Sequence, residues 1–85
     1  MRGMKKIIFG EHKNLIHENL KQIRRSKVVS QSELAARMQV LSVNMDQQMI
    51  SKIEHDDRIV TDYELVCFAK ALKVDVTALL GEFPE

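Results

Sequence analysis

The fold of this 85-residue chain is decided by two short stretches, SQSELAARM at residues 30–38 and DQQMISKIE at residues 46–54. Ser30 and Asp46 open these stretches with side chains that can accept a hydrogen bond from the first turn of a helix. Glu33 follows Ser30 by three residues, which is the pattern of a capping box. Apolar residues then recur at helical spacing on one face of each stretch. The two stretches therefore predict two short amphipathic helices that follow one another.

Similar patterns lie on both sides of this pair. Upstream, apolar residues at helical spacing predict a first helix over residues 11–27. Downstream, Thr61 and Glu64 form a second capping-box pattern that begins a fourth helix. Asp75 is a candidate cap for a short fifth helix, which Gly81 would close. The predicted core consists of Leu15, Ile16, Leu20, Ile23, Leu34, Ala35, Met38, Ile50, Ile53, Leu65, Phe68, Ala69, Leu72, Val76, Leu79 and Leu80. The sequence therefore predicts an all-α, compact domain of five helices.

Length and charge set the domain organisation. A chain of this length forms one domain, which we divide into a basic N-terminal arm (residues 1–10), a helical domain (residues 11–81) and a tail (residues 82–85). Residues 1–30 contain eight Lys or Arg and two acidic residues, whereas residues 61–85 contain two basic and five acidic residues. This asymmetry predicts a basic surface near the N-terminus although the net charge is only +1.

Cysteine content and hydropathy exclude secreted and membrane classes. The single cysteine, Cys67, cannot form an intramolecular disulfide, and a free thiol is ordinary in a reducing compartment. No apolar stretch has membrane-spanning length. The apolar run at residues 7–9 is too short for the core of a signal peptide. We therefore expect a cytoplasmic protein that does not associate with membranes.

The spacing of the candidate catalytic and metal-binding residues does not predict a site. Among the three histidines, only His12 and His17 could be neighbours, and their spacing does not place them on one face of a helix. With His55 distant from both in the sequence, the histidines predict no metal centre. Ser30 and Ser32 have no base or acid nearby in the sequence that would activate a nucleophile. No glycine-rich phosphate loop is present. We expect neither a metal, nor a cofactor, nor enzyme activity.

Polar side chains on the second stretch face away from Ile50 and Ile53. Glutamine can form two hydrogen bonds with adenine, lysine can donate to guanine or a phosphate, and methionine can contact the thymine methyl group. Exposed helix faces are commonly polar, so the polarity of this face alone is weak evidence for DNA binding. Gln31, in the first turn of the preceding helix, can meet a phosphate because helix N-termini present unpaired donors. Such a pair of helices is typical of a helix-turn-helix, in which one helix braces on DNA and the other enters the major groove.

Four motifs occur in order within residues 14–80. They are Ile23-Arg24, Ser30-Gln31-x-Glu33-Leu34-Ala35, Ile50-Ser51-Lys52-Ile53-Glu54 and Leu65-x-x-x-Ala69-x-x-Leu72-x-Val74. Together they make the chain resemble the Cro- and cI-repressor-like (Xre-like) helix-turn-helix family. The resemblance implies a five-helix domain, usually a dimer, on a palindromic or near-palindromic operator. It implies a phosphate contact by Gln31, base contacts by Gln47, Gln48, Met49 and Lys52, and a partly buried ion pair between Arg24 and Glu54.

The sequence departs from this family at two turns. Relatives commonly have a tight turn with a glycine and an aliphatic residue between the two helices, whereas residues 38–46 are longer and lack the glycine. The extra residues could bulge outward, add a DNA contact or lengthen the second helix, and Asn44 is a candidate for a left-handed backbone conformation. The second departure is the turn after the helix at residues 46–54, which is the recognition helix. Asp56 also tolerates a left-handed conformation there, and Arg58 is the cation beside the carboxylates of Asp56 and Asp57.

The sequence therefore predicts a DNA-binding transcriptional regulator, a repressor that acts as a dimer on a palindromic operator. The predicted DNA-binding residues are Gln31, Gln47, Gln48, Met49, Ser51, Lys52 and Arg58. We expect the dimer surface in the C-terminal part, through Leu79, Leu80 and Phe83 or through the exposed side of the fourth helix. The alternative is a protein-interaction module, an antitoxin-like or partner-binding regulator that uses the same fold and binds DNA weakly. The acidic C-terminal half and the single lysine of the recognition helix keep this alternative open.

Overall fold

The structure, a computed structural model, describes residues 11–81 of the chain. This part contains five helices, α1 (His17–Ser26), α2 (Gln31–Val40), α3 (Gln47–Glu54), α4 (Asp62–Leu72) and α5 (Val76–Leu80). No strand occurs within the described range, so the predicted all-α fold is confirmed. The predicted basic arm (residues 1–10) and tail (residues 82–85) lie outside the described residues. None of the helices in residues 11–81 combines the length and the hydropathy needed to cross a bilayer.

The two central helices begin at their predicted caps. The Oγ atom of Ser30 accepts a hydrogen bond from the backbone N–H of Glu33 (3.0 Å), and Asp46 accepts one from Met49 (2.8 Å). The Glu33 carboxylate pairs with Arg37 one turn further along the helix (3.5 Å). The capping box predicted at Ser30 is therefore formed by its serine half alone, since no reciprocal bond from Glu33 is found within residues 11–81.

The other helix starts have mixed outcomes. Thr61 and Glu64 form the predicted capping box, with reciprocal hydrogen bonds of 3.1 and 3.2 Å. Asp75 stands at the N-cap of α5, but its side chain makes no capping bond there. The first helix begins at His17 rather than Glu11, because the residues before it make tertiary hydrogen bonds that a helix would not allow.

Helices α1 to α4 end with a residue in the left-handed conformation and none of these residues is glycine. They are Val28 (φ 57°), Ser42 (φ 68°), Asp56 (φ 60°) and Lys73 (φ 58°). In each case the N–H of the next residue reaches back five positions to a carbonyl of the last turn, which is a Schellman motif. The prediction for Asp56 is confirmed, whereas that for Asn44 is wrong and Ser42 takes the position.

The core lies between α2 and the helices that surround it. Helix α2 packs against α3 and α4, while α1 packs against α3 and α5. The largest fully buried side chains are Leu20, Leu34, Met38, Met45, Ile50, Ile53, Phe68, Leu72 and Leu79. Four predicted core residues are half-buried, namely Ile23, Leu65, Val76 and Leu80. Leu15 is 39% exposed, and the core prediction for it is wrong because it precedes α1. Cys67 is buried.

The long connection between α2 and α3 packs inward. Helix α2 continues to Val40, and two of the residues that follow Ser42 are buried, Val43 at 6% exposure and Met45 at 0%. The side-chain amide of Gln39 donates to the carbonyl of Met45 (2.9 Å) and fastens the connection to α2. Part of the extra length therefore extends the helix, and the rest adds to the core instead of bulging outward. At this turn Ser42 takes the left-handed conformation and the aliphatic side chain of Val43 is buried directly after it.

Candidate nucleic-acid interface

The N-termini of α2 and α3 lie side by side. The Gln47 amide donates to Oε1 of Gln31 (3.4 Å), and the hydroxyl of Ser32 donates to Oε1 of Gln47 (3.2 Å). Each helix presents first-turn N–H groups that lack a partner within the helix, and each carries a partial positive charge at this end. Two such ends next to each other form a surface that favours an anionic ligand such as a phosphate.

The polar face of α3 continues this surface. Gln47, Gln48 and Lys52 are exposed, whereas Met49 and Ser51 are half-buried. The side chains of Gln48 and Lys52 make no hydrogen bond or ion pair with the part of the chain that the structure describes. Met49 packs partly against the core. Gln47, Gln48 and Lys52 thus form a polar strip, while Met49 and Ser51 lie at its margins.

A buried ion pair lies directly beneath this surface. The Arg24 guanidinium donates from Nε to Oε2 of Glu54 (2.7 Å) and from Nη2 to Oε1 (3.1 Å). Its third bond goes to the carbonyl of Val29 (2.8 Å). The two side chains are 10% and 2% exposed. The structure therefore contains the ion pair that the resemblance implies, and it joins α1 to the last turn of α3.

Gln31 connects the ion pair to the surface. Its Nε2 donates to Oε1 of Glu54 (3.0 Å), and its Oε1 accepts from Gln47. A continuous chain of hydrogen bonds thus runs from Ser32 through Gln47 and Gln31 to Glu54 and Arg24. Nothing in the sequence pattern singled out Ser32 as part of this chain. The arrangement fixes the relative position of the two helix N-termini, because moving either helix would break a hydrogen bond to a buried carboxylate.

Arg58 points to α4 and forms a bidentate ion pair there. Its Nη1 and Nη2 atoms donate to the two carboxylate oxygens of Glu64 at 2.9 and 3.0 Å. The hydrogen bonds from Arg58 hold the pKa of Glu64 below its usual value and outweigh the effect of burial. The same bonds raise the pKa of Arg58. The charge of Arg58 is therefore balanced within the protein, and its observed role is to tether the connection between α3 and α4.

Asp56 fastens the segment before α1 to the turn after α3. Its Oδ1 accepts hydrogen bonds from the backbone N–H groups of Lys13 (2.9 Å) and Asn14 (3.1 Å), and Oδ2 lies 2.7 Å from Nδ1 of His12. Burial on its own would raise the pKa of Asp56, but these hydrogen bonds lower it below its usual value. The carboxylate thus acts as an anchor for residues 12–14.

Asn14 completes this anchor, a role that the sequence pattern did not predict. It is 7% exposed, and its amide donates to the carbonyls of Ile53 and Arg58, both at 3.0 Å. Its Oδ1 accepts from the backbone N–H of Ile16 (3.0 Å). An asparagine inside an apparent helical pattern gives no signal of such a role, because its partners lie about forty residues away in the sequence.

The comparison with known protein families agrees with this geometry. A family model described as helix-turn-helix matches residues 20–79, which is more than half of the chain. The matched region spans the polar surface of α2 and α3 and the ion pair beneath it. No curated protein and no solved structure matches the chain.

Proposed function

Because the chain belongs to the Cro/C1-type, Xre-like family of helix-turn-helix proteins, we propose that it is a repressor that binds a palindromic operator as a dimer. The family makes the chain a DNA-binding regulator. The family match does not favour a protein-interaction module with weak DNA binding. The observation that carries the proposal is the pairing of the α2 and α3 N-termini through Gln31, Ser32 and Gln47.

In this proposal α3 lies in the major groove and α2 rests on the DNA backbone. Gln47 and Gln48 contact base edges, and Lys52 donates to guanine or a phosphate. Met49 and Ser51, at the margins of the strip, make apolar and hydroxyl contacts with the groove wall. Gln31 positions Gln47, and the N–H groups at the start of α2 bind a phosphate. We leave Arg58 out of this set because Glu64 balances its charge.

A second copy of the chain fits the exposed face of α4. Tyr63 is 58% exposed and Val66 is 44% exposed, and they belong to a groove of about 420 Å³. The groove is lined by Leu41, Asp62, Tyr63, Val66, Cys67 and Lys70. Asp62 and Lys70 are both four residues from Val66, so an antiparallel copy of α4 centred on Val66 brings each Asp62 opposite the partner's Lys70. Leu79 is buried in the chain's own core, which favours α4 over α5 as the dimer surface.

DNA selection from a random duplex pool tests the proposal. We expect a palindromic sequence to be enriched, with half-sites about one helical turn apart. Gln48→Ala should relax the preference at one or two base pairs and cost about 1–3 kcal/mol on the preferred site. Lys52→Ala should weaken binding to all sequences and make the dependence on salt less steep.

Two exposed positions outside α2 and α3 supply controls. Gln22→Ala removes a glutamine that bonds to Glu18 on α1, and Lys73→Asn removes a positive charge at a left-handed position that asparagine tolerates. Both variants should bind DNA as the unaltered protein does. Absence of any enriched sequence, together with binding weaker than micromolar at low salt, would overturn the proposal and favour a protein-interaction module.

A further inference from the structure

Three metal-ligating side chains meet at the junction between the start of α1 and the turn after α3. One ligand atom each from His12, His17 and Asp56 lies within 4.8 Å of the other two. The two imidazole rings stack with centroids 5.6 Å apart and an interplanar angle of 27°. Spacing along a single helix would place these two histidines on different faces. That spacing does not apply, because His12 lies before α1 and the chain turns between it and His17.

The donor set fits a borderline transition metal. Imidazole nitrogen and carboxylate oxygen are the ligands that Zn²⁺ takes in sites with three protein ligands and one open position. At a metal–ligand distance of about 2.1 Å, tetrahedral ligand atoms lie roughly 3.4 Å apart. A separation as long as 4.8 Å must therefore shorten by about 1.4 Å when the metal binds. Because His12 is exposed and the other two are half-buried, side-chain rotations can supply this change without moving the helices.

The carboxylate is already oriented towards the histidines. Oδ1 of Asp56 is held by the backbone N–H groups of Lys13 and Asn14, so Oδ2 faces His12. Such hydrogen bonds to a ligating carboxylate fix its direction and strengthen a metal site. His55 is not part of the cluster, since its Nδ1 lies 2.7 Å from the carbonyl of Ser51.

We propose that His12, His17 and Asp56 bind Zn²⁺ or a similar divalent transition metal. The ion joins the segment before α1 to the turn that follows α3, two places 44 residues apart in the sequence. Its fourth position is left for water or an external ligand. This site is separate from the polar strip of α3, and its occupancy stabilises the end of that helix.

Calorimetric titration of the full, untagged and chelator-treated chain with zinc chloride tests the site. We expect one zinc ion per chain and a Tm that rises by roughly 11–22 °C when free zinc exceeds Kd one hundredfold. Magnesium at the same concentration should leave the Tm unchanged, because it prefers oxygen ligands.

Single substitutions separate this site from adventitious binding to surface histidines. His12→Ala and His17→Ala should each weaken zinc binding at least tenfold. Asp56→Asn should do so as well, while it keeps the left-handed turn and an oxygen acceptor. His55→Ala removes a histidine outside the cluster and should leave binding unchanged. A Kd weaker than about 100 μM for the unaltered chain, or equal losses in His55→Ala and His17→Ala, would overturn the proposal. The titration needs no DNA, so its failure would leave the proposed operator binding intact.

Discussion

Glu54→Ala removes the carboxylate that receives three hydrogen bonds beneath the α2–α3 surface. Two come from the Arg24 guanidinium at 2.7 and 3.1 Å, and one comes from Gln31 at 3.0 Å. The substitution leaves the Arg24 charge at 10% side-chain exposure with the carbonyl of Val29 as its partner. Breaking a buried pair in this way costs about 3–5 kcal/mol. Because Val29 still accepts one bond, we expect the lower end of that range.

A loss of about 3 kcal/mol corresponds to a fall in Tm of roughly 12–24 °C for a domain of this size. Urea denaturation gives the free energy of unfolding, and thermal melting followed by circular dichroism gives the Tm. Glu33→Ala is the matched control, since its partner Arg37 is 3.5 Å away and both side chains are well exposed (52% and 40%). That exposed pair should contribute no more than about 0.5 kcal/mol.

A double-mutant cycle distinguishes a stranded charge from lost packing. Arg24→Met combined with Glu54→Met removes both charges and keeps apolar volume, so it should be less destabilised than Glu54→Met alone. The reasoning fails if Glu54→Ala is no more destabilising than Glu33→Ala. It also fails if the double variant is as unstable as Glu54→Met, because the cost would then not come from the unpaired guanidinium.

Three further predictions follow from single positions. Val28→Gly should raise the free energy of unfolding by about 0.5–1 kcal/mol in urea denaturation, since Val28 has φ 57° and is 87% exposed; a destabilised variant would contradict this. The ion pair with Arg58 lowers the pKa of Glu64. The stability that this pair contributes is therefore present above the pKa that Glu64 has in the unfolded chain, and it is lost as the pH falls below about 4.5. The stability advantage over Glu64→Gln should therefore shrink between about pH 6 and about pH 3; a constant difference would count against it. Val66→Glu should convert the proposed dimer to a monomer in sedimentation velocity, whereas Ile59→Glu, at a residue 64% exposed outside the α4 groove, should not.

Local signals predicted the starts of α2 and α3 because the atoms involved lie within one turn. The hydroxyl of Ser30 and the carboxylate of Asp46 reach N–H groups three residues away, so residue type and spacing suffice. The ion pair between Arg24 and Glu54 is different, since its partners are 30 residues apart. Helical periodicity carries no information about contacts between residues so far apart in the sequence. The ion pair was expected because the chain resembles a helix-turn-helix family.

The start of α1 was mispredicted because tertiary contacts override the local pattern. Residues 11–16 satisfy helical periodicity, yet the backbone N–H of Asn14 donates to Asp56, 42 residues away, and this contact holds the segment outside the helix. The same kind of contact decides the turn after α2. Ser42 takes the left-handed position although asparagine prefers it intrinsically, since this register buries Val43 and Met45. Burial of two apolar side chains is worth more than the preference of one residue for a backbone conformation.

The charge distribution of the recognition surface determines how this regulator gains affinity. Helix α3 has one basic residue, Lys52, and the charge of Arg58 is balanced by Glu64. Cationic contacts with phosphates dominate non-specific binding and its dependence on salt, so a single protomer should bind random DNA weakly. Contacts made by neutral groups depend less on counterion release. These groups are the N–H donors at the two helix N-termini and the glutamine side chains. In the proposed complex with DNA, specificity would therefore rest on the fixed position of Gln47 and Gln48, and affinity would rest on joining two such surfaces in the proposed dimer.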